Sequence, residues 1–130
     1  MNRNNTYVER RRHLRIDKHL GVKLKTEDFD LATETINLSC LGAYCQLNRH
    51  IPLMTSLKIA LALPYGDQGK ECDYAECNGV AVRVEEVLSE TNMDSVYNTA
   101  IYFNEIEESE KEKIADFFEE HQHKEIGMPE

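Results

Sequence analysis

Two clusters of polar residues carry most of the chemistry this sequence offers. Arg10, Arg11, Arg12 and Arg15 crowd into one short run near the N-terminus. An arginine guanidinium is a rigid fork of donors. It grips two acceptors at once, as phosphate oxygens and the O6/N7 edge of guanine both require, and its flat face stacks on a base. About twenty residues later come Asn37, Ser39 and Gly42. On an extended chain Asn37 and Ser39 face the same way, so an amide and a hydroxyl address one ligand edge. Gly42 has no side chain and permits a tight turn or a close approach of other backbone or ligand. Together the clusters describe a site for a flat, anionic, hydrogen-bonding ligand, and a guanine nucleotide fits best. Separately, the first would be a solvated basic tail and the second an ordinary hairpin turn.

The charge distribution narrows the partner. The 130 residues carry a net charge of −9. Residues 1–25 hold eight basic side chains against Glu9 and Asp17, a balance of +6, which leaves −15 on the remainder. A long phosphate backbone would be repelled by such a body, so neither DNA nor RNA is expected as a partner. No apolar run reaches the roughly 20 residues of a membrane helix, and Met1-Asn2-Arg3-Asn4-Asn5 does not open a secretory signal. The expectation is a cytoplasmic protein with no membrane insertion. Cys40, Cys45, Cys72 and Cys77 lack the two-residue spacing of a zinc ribbon. They read as free structural thiols, the alternative being a metal or redox site for which both pairs would have to converge. Oxidation of Cys40, inside the second cluster, would hinder ligand entry. The five histidines share no spacing with an acid and a nucleophile, so no catalytic residue, no metal and no cofactor is expected, and the protein is not read as an enzyme.

Something must bring the clusters together. Val22/Leu24, the segment 30–38, Leu41/Ala43/Cys45/Leu47, Leu57/Ile59/Leu61/Leu63, Val80/Val82/Val84 and the segment 96–103 each show the period of two of a strand with one buried face. Residues 64–70 are turn-rich, and 89–94 read as a hairpin loop. Six strands without intervening helices predict an antiparallel sheet, and closing it into a barrel would remove its edges. After Asn104 the period changes. Ser109 and Glu112 have the spacing of a capping box, and Ile114, Phe117 and Phe118 fall on one helical face. The predicted organisation is a flexible arm over 1–18, an antiparallel β-barrel over 19–104 and a helix over 105–124. The fold class is all-β with a C-terminal α-helix.

Arg10-Arg11-x-x-x-Arg15, then Asn37-x-Ser39-x-x-Gly42, six strands and a terminal helix: this ordered set resembles the PilZ domain family over roughly residues 9–120. Gly79-Val80-Ala81-Val82-Arg83-Val84 resembles the family's next recognisable strand, and Thr99-Ala100-Ile101-Tyr102-Phe103 its last. The resemblance implies a six-stranded PilZ-type barrel and a receptor for the bacterial second messenger cyclic di-GMP. It assigns Arg11 and Arg15 to a clamp that closes over the ligand, and Asn37, Ser39 and Gly42 to the floor beneath it. Arg10 matches members that take up two intercalated ligand molecules per chain. Asn37 stands where Asp is more frequent. No output function is encoded in one such domain, so a separate effector protein is implied. The competing expectation is a protein-interaction adaptor that kept the fold and works without nucleotide.

Overall fold

The computed structural model describes residues 19–65, 71–88 and 94–126, with side chains through Glu120. Six strands form in chain order: β1 Gly21–Lys25, β2 Asp30–Leu38, β3 Gly42–Leu47, β4 Ser56–Tyr65, β5 Glu71–Leu88 and β6 Ser95–Glu105. One helix follows, α1, Glu108–Ile126. All strand pairs are antiparallel, and the order β1-β2-β3-β6-β5-β4 closes on itself as a barrel. The expected all-β barrel with a C-terminal helix is therefore what forms.

The period-two pattern decides which side chains fill it. Val22 and Leu24 of β1, Ala43, Cys45 and Leu47 of β3, Leu57, Ile59, Leu61 and Leu63 of β4, and Ile101 and Phe103 of β6 are all buried in one core. From the helix Ile114, Phe117 and Phe118 join the same core. Burying such side chains contributes about 1.5–3 kcal/mol each, and most of the stability of a helix in a protein comes from packing an apolar face of this kind and not from propensity. Docking therefore holds α1 in place.

Three expectations need correction. Leu41 does not belong to the buried row of β3; it sits in the turn before the strand and is exposed. The row Val80, Val82, Val84 does not alternate cleanly. Val80 and Ala81 are both buried and Val82 is exposed, because β5 carries a bulge between Ala81 and Arg83. The cap of α1 is Glu107 and not Ser109. The Glu107 carbonyl accepts from the N–H groups of Glu110 (3.0 Å) and Lys111 (2.9 Å), which puts Ser109 inside the first turn. Glu108 and Glu110 there complement the positive end of the helix.

β5 begins at Glu71, well before the valine-rich stretch. β6 pairs with it only from Asn78 onward, so one edge of Glu71–Cys77 would be bare. The helix supplies the missing partners. Glu110 Oε1 accepts the Glu76 N–H at 2.8 Å, and Lys113 Nζ donates to the Tyr74 carbonyl at 3.0 Å. The two side chains also pair with each other at 3.3 Å. The Glu76 N–H, seconded by Lys113, holds the Glu110 carboxyl below the usual carboxylate range. A lowered folded-state value means stability that is present at neutral pH and lost as the pH falls through that value. Glu110→Ala is expected to lower the melting temperature at pH 7 by a few degrees, since a hydrogen bond of this kind contributes about 1 kcal/mol. The gap to wild type should close as the pH drops below the carboxylate range. Thermal melts between neutral and acid pH measure it, and a gap that persists at acid pH would assign the loss to packing instead.

Among the described residues no helix is long and apolar enough to cross a membrane.

Candidate functional site

Arg10, Arg11 and Arg15 lie outside the described residues, so the site is built from its barrel side. The chain enters β1 through Leu20. There the Leu20 N–H donates to Thr35 Oγ1 at 3.0 Å, and the Leu20 carbonyl accepts the Thr35 N–H at 2.9 Å. Both residues are buried. A hydrogen-bonded pair sheltered from water is costly to open, so the root of the N-terminal segment is pinned to β2 two residues from Asn37. Arg15 lies five residues before Leu20, roughly 17 Å of chain at full extension. Asn37 stands two strand residues beyond Thr35, about 7 Å, which is within that reach.

Asn37 owes its orientation to a bulge. Thr35 pairs with Cys45 and Asn37 with Tyr44, so Ile36 is an extra residue in β2. Thr35 points into the barrel. Strict alternation would send Asn37 inward as well, but the inserted residue turns it to the outer face, a usual effect of a bulge. Leu38 then takes the buried position, at 0% exposure, and Ser39 follows Asn37 to the outside. The structure thus brings Asn37 and Ser39 to one side of the barrel wall.

Ser39 opens the turn between β2 and β3. Its N–H donates to the Gly42 carbonyl at 2.9 Å, and its Oγ accepts the Leu41 N–H at 3.1 Å. As a donor, Ser39 Oγ stands 3.5 Å from the Gly42 carbonyl oxygen. That separation is too long to hold it firmly, so the hydroxyl keeps a proton to donate. Gly42 pairs with Tyr102 of β6. A Cβ here would run into the Ile101 carbonyl oxygen and press on its carbon at 3.2 Å. The close approach that demands glycine is therefore that of β6.

Cys40 turns inward between Ser39 and Leu41 and packs against the core. Burial pushes its thiol up, and the nearby Lys111 ammonium opposes this only in part. Burial likewise raises Cys45 and Cys77 to about 12, with Glu110 adding to the shift at Cys77. All four thiols are free. Protonated thiols of this kind are poor nucleophiles.

Strand register extends the site beyond the expected residues. Asn37 pairs with Tyr44, Tyr44 with Ala100, and Ala100 with Arg83. Directly paired residues share a face, so an amide, a phenol ring and a guanidinium line up across four strands on the outer wall. Ala100 is small and leaves a gap that the Arg83 guanidinium spans, 5.9 Å from the centre of the Tyr44 ring. Tyr102, half exposed, flanks the row. Arg83 has no carboxylate partner within 4.0 Å among the described residues. The row can stack a flat ring, bond its edge and attract an anion. Sequence reasoning missed Tyr44 and Arg83, which are far apart in the chain and meet only through register.

Among the described residues this is an open shelf and not a cavity. A groove of about 1240 Å³ lies elsewhere, between Lys23, Lys25, Lys58 and the start of the helix, and neither Asn37, Ser39 nor Gly42 lines it. A ligand on a convex barrel wall needs a second surface to cover it.

No family model matches the chain, and no curated protein matches it in sequence. Solved structures do match. The Bacillus subtilis inhibitor of motility MotI/DgrA has a TM-score of 0.69 at 17% identity, over 91% of this chain and 52% of that one. The PilZ domain of Escherichia coli YcgR, solved with c-di-GMP, has a TM-score of 0.62 at 17% identity, over 93% of this chain and 99% of the domain. The Borreliella burgdorferi PlzA protein, in complex with c-di-GMP, has a TM-score of 0.60 at 8% identity, over 94% and 57%. The chain spans about half the length of MotI and PlzA and nearly all of the YcgR domain. Its barrel is of the PilZ type.

Proposed function

We propose that the protein is a cyclic di-GMP receptor whose N-terminal arginines close over the ligand on the outer wall of the barrel. The observation that carries this reading is the pinning of Leu20 to Thr35, which fixes the start of β1 two residues along β2 from Asn37. Arg11 and Arg15 would clamp phosphate and guanine. Asn37 and Ser39 would bond a guanine edge, with Tyr44 and Arg83 extending the floor. Within one chain the described residues of the shelf offer stacking, amide bonding and a cation without a carboxylate partner, and none of them covers it; an arm of opposite charge to the ligand would supply that cover. Two of the matching structures, the YcgR PilZ domain and PlzA, were solved with c-di-GMP. The receptor would signal by presenting the ordered arm to a separate effector protein, and Arg10 would admit a second ligand molecule.

Titration calorimetry with cyclic di-GMP tests this directly. We expect heat with cyclic di-GMP and none with cyclic AMP or GTP at similar concentration. A rise in melting temperature should accompany binding, because a ligand selective for the folded state stabilises it. Two molecules per chain are expected, falling towards one in Arg10→Leu. Absence of both heat and thermal shift at saturating ligand would end the receptor reading and leave the adaptor without nucleotide. A wild-type stoichiometry of one would remove only the role of Arg10.

A further inference from the structure

Nine large hydrophobic side chains stand exposed among the described residues, and five of them border a single feature: Leu53, Met54, Val82, Val87 and Leu88. That feature is the outer half of β5. β4 pairs with β5 only as far as Val80. Ala81 is then held by the loop before β4, its carbonyl accepting the Met54 N–H at 2.7 Å and its N–H donating to the Thr55 carbonyl at 3.2 Å. From Val82 to Leu88 the strand pairs with β6 alone among the described residues. Among the described residues this stretch of β5 is thus an open edge, rimmed by apolar side chains. Met54 on that rim has a φ of 68°, a left-handed conformation that costs a non-glycine residue of order 1 kcal/mol or more. It presents its side chain to solvent at 66% exposure.

Open edges are usually protected by charge, so that two copies repel. Here the charges have the opposite pattern. Arg83 pairs with Ala100 and Glu85 with Asn98, which puts both on the outer face, two residues apart and of opposite sign. We propose that this edge is an interface between two copies of the chain, paired antiparallel about a two-fold axis through Val84. In that register Arg83 stands opposite Glu85 of the partner subunit, and Glu85 opposite the partner's Arg83. The faces agree, because residues paired across an antiparallel ladder share a side. An axis at Glu85 would instead set like charges against each other. Val82 falls opposite the partner's Glu86. The ladder ends there, because Ala81 is already held by the Met54–Thr55 loop and Val80 by Ser56 of its own chain. Val87 and Leu88 pass that end of the ladder on the side of the exposed Leu53–Met54 loop of the partner subunit. One register therefore pairs Val82–Glu86 of the two copies and sets Arg83 against Glu85. An isologous contact of this kind closes on itself at two subunits. The two strands are short, which belongs with a small interface and a concentration-dependent dimer.

The experiment is sedimentation equilibrium of the full chain without nucleotide, from micromolar to millimolar protein, so its result does not depend on the receptor reading. A monomer–dimer equilibrium is expected. Glu85→Arg, which sets two arginines against two, should weaken dimerisation by about ten-fold or more. The double exchange R83E/E85R should restore it, since the opposite charges again face each other. Far-UV circular dichroism shows whether each variant is folded. A monomer at every concentration, a dimer indifferent to Glu85→Arg, or a double exchange no better than the single variant would each overturn the proposal.

Discussion

Alanine at Arg11 or at Arg15 is expected to weaken cyclic di-GMP binding by roughly ten- to a hundred-fold each, while the melting temperature of the free protein stays unchanged. Hydrogen bonds to charged groups contribute about 1.5–3 kcal/mol, and every 1.4 kcal/mol is ten-fold in affinity. The core of the described residues is built from side chains between Leu20 and Phe118, so stability should not follow affinity down. Arg12→Ala is the internal control, because it lies outside the Arg11-x-x-x-Arg15 spacing and should cost much less. Arg83→Ala probes the shelf and should fall between them. Calorimetry on the four variants at fixed salt decides the matter. Equal losses at Arg11, Arg12 and Arg15 would mean that the run acts as diffuse charge, and the clamp would have to be given up.

The barrel was legible because its strands obey a simple period wherever one face is buried. Leu57, Ile59, Leu61 and Leu63 were readable as one inward row, and all four are buried. Ile114, Phe117 and Phe118 were readable as one helical face for the same reason. What escaped were the places where tertiary structure overrides period. Glu71–Cys77 gives a weak strand signal, rich in acid and cysteine. It is a strand because β4 pairs with it on one side and Glu110 and Lys113 serve its other edge. No local pattern announces that arrangement. Bulges escaped for a related reason. An extra residue at Ile36 or Val82 leaves composition unchanged and only reverses which side of the wall its neighbours face.

The site was legible in its spacing and illegible in its register. Asn37, Ser39 and Gly42 could be singled out because an amide, a hydroxyl and a glycine at a strand junction are chemically informative together. Thr35 could not, since a threonine in a strand is ordinary until its hydroxyl is seen to hold the Leu20 N–H. Tyr44 and Arg83 could not, since 39 positions separate them in the chain. Only the pairing through Ala100 makes them neighbours. The general signal is an outward aromatic and an outward cation joined by a small residue on the strand between them, and it needs a register before it can be read.

Gly42→Ala is expected to damage the fold more than any substitution on the shelf. Glycine in a binding motif invites the reading that a ligand comes close to its backbone. The backbone that comes close here is that of β6. Gly42 pairs with Tyr102, and a single methyl group would collide with the Ile101 carbonyl. A flexible side chain could yield, whereas a carbonyl inside a closed barrel cannot move without shifting its ladder. Phe103 N–H, which donates to the Leu41 carbonyl at 2.9 Å on the same stretch of β6, would be displaced with it. Overpacking of this kind costs about 1–3 kcal/mol, and the rigid partner argues for the upper end, a fall in melting temperature of roughly 10 °C. Any loss of ligand affinity in Gly42→Ala would then be a consequence of the broken β3–β6 contact. Melting the variant without nucleotide separates the two roles. A variant as stable as wild type that fails to bind would return Gly42 to the ligand, whereas a destabilised one assigns it to the barrel wall that holds Asn37, Ser39 and Tyr44 in line.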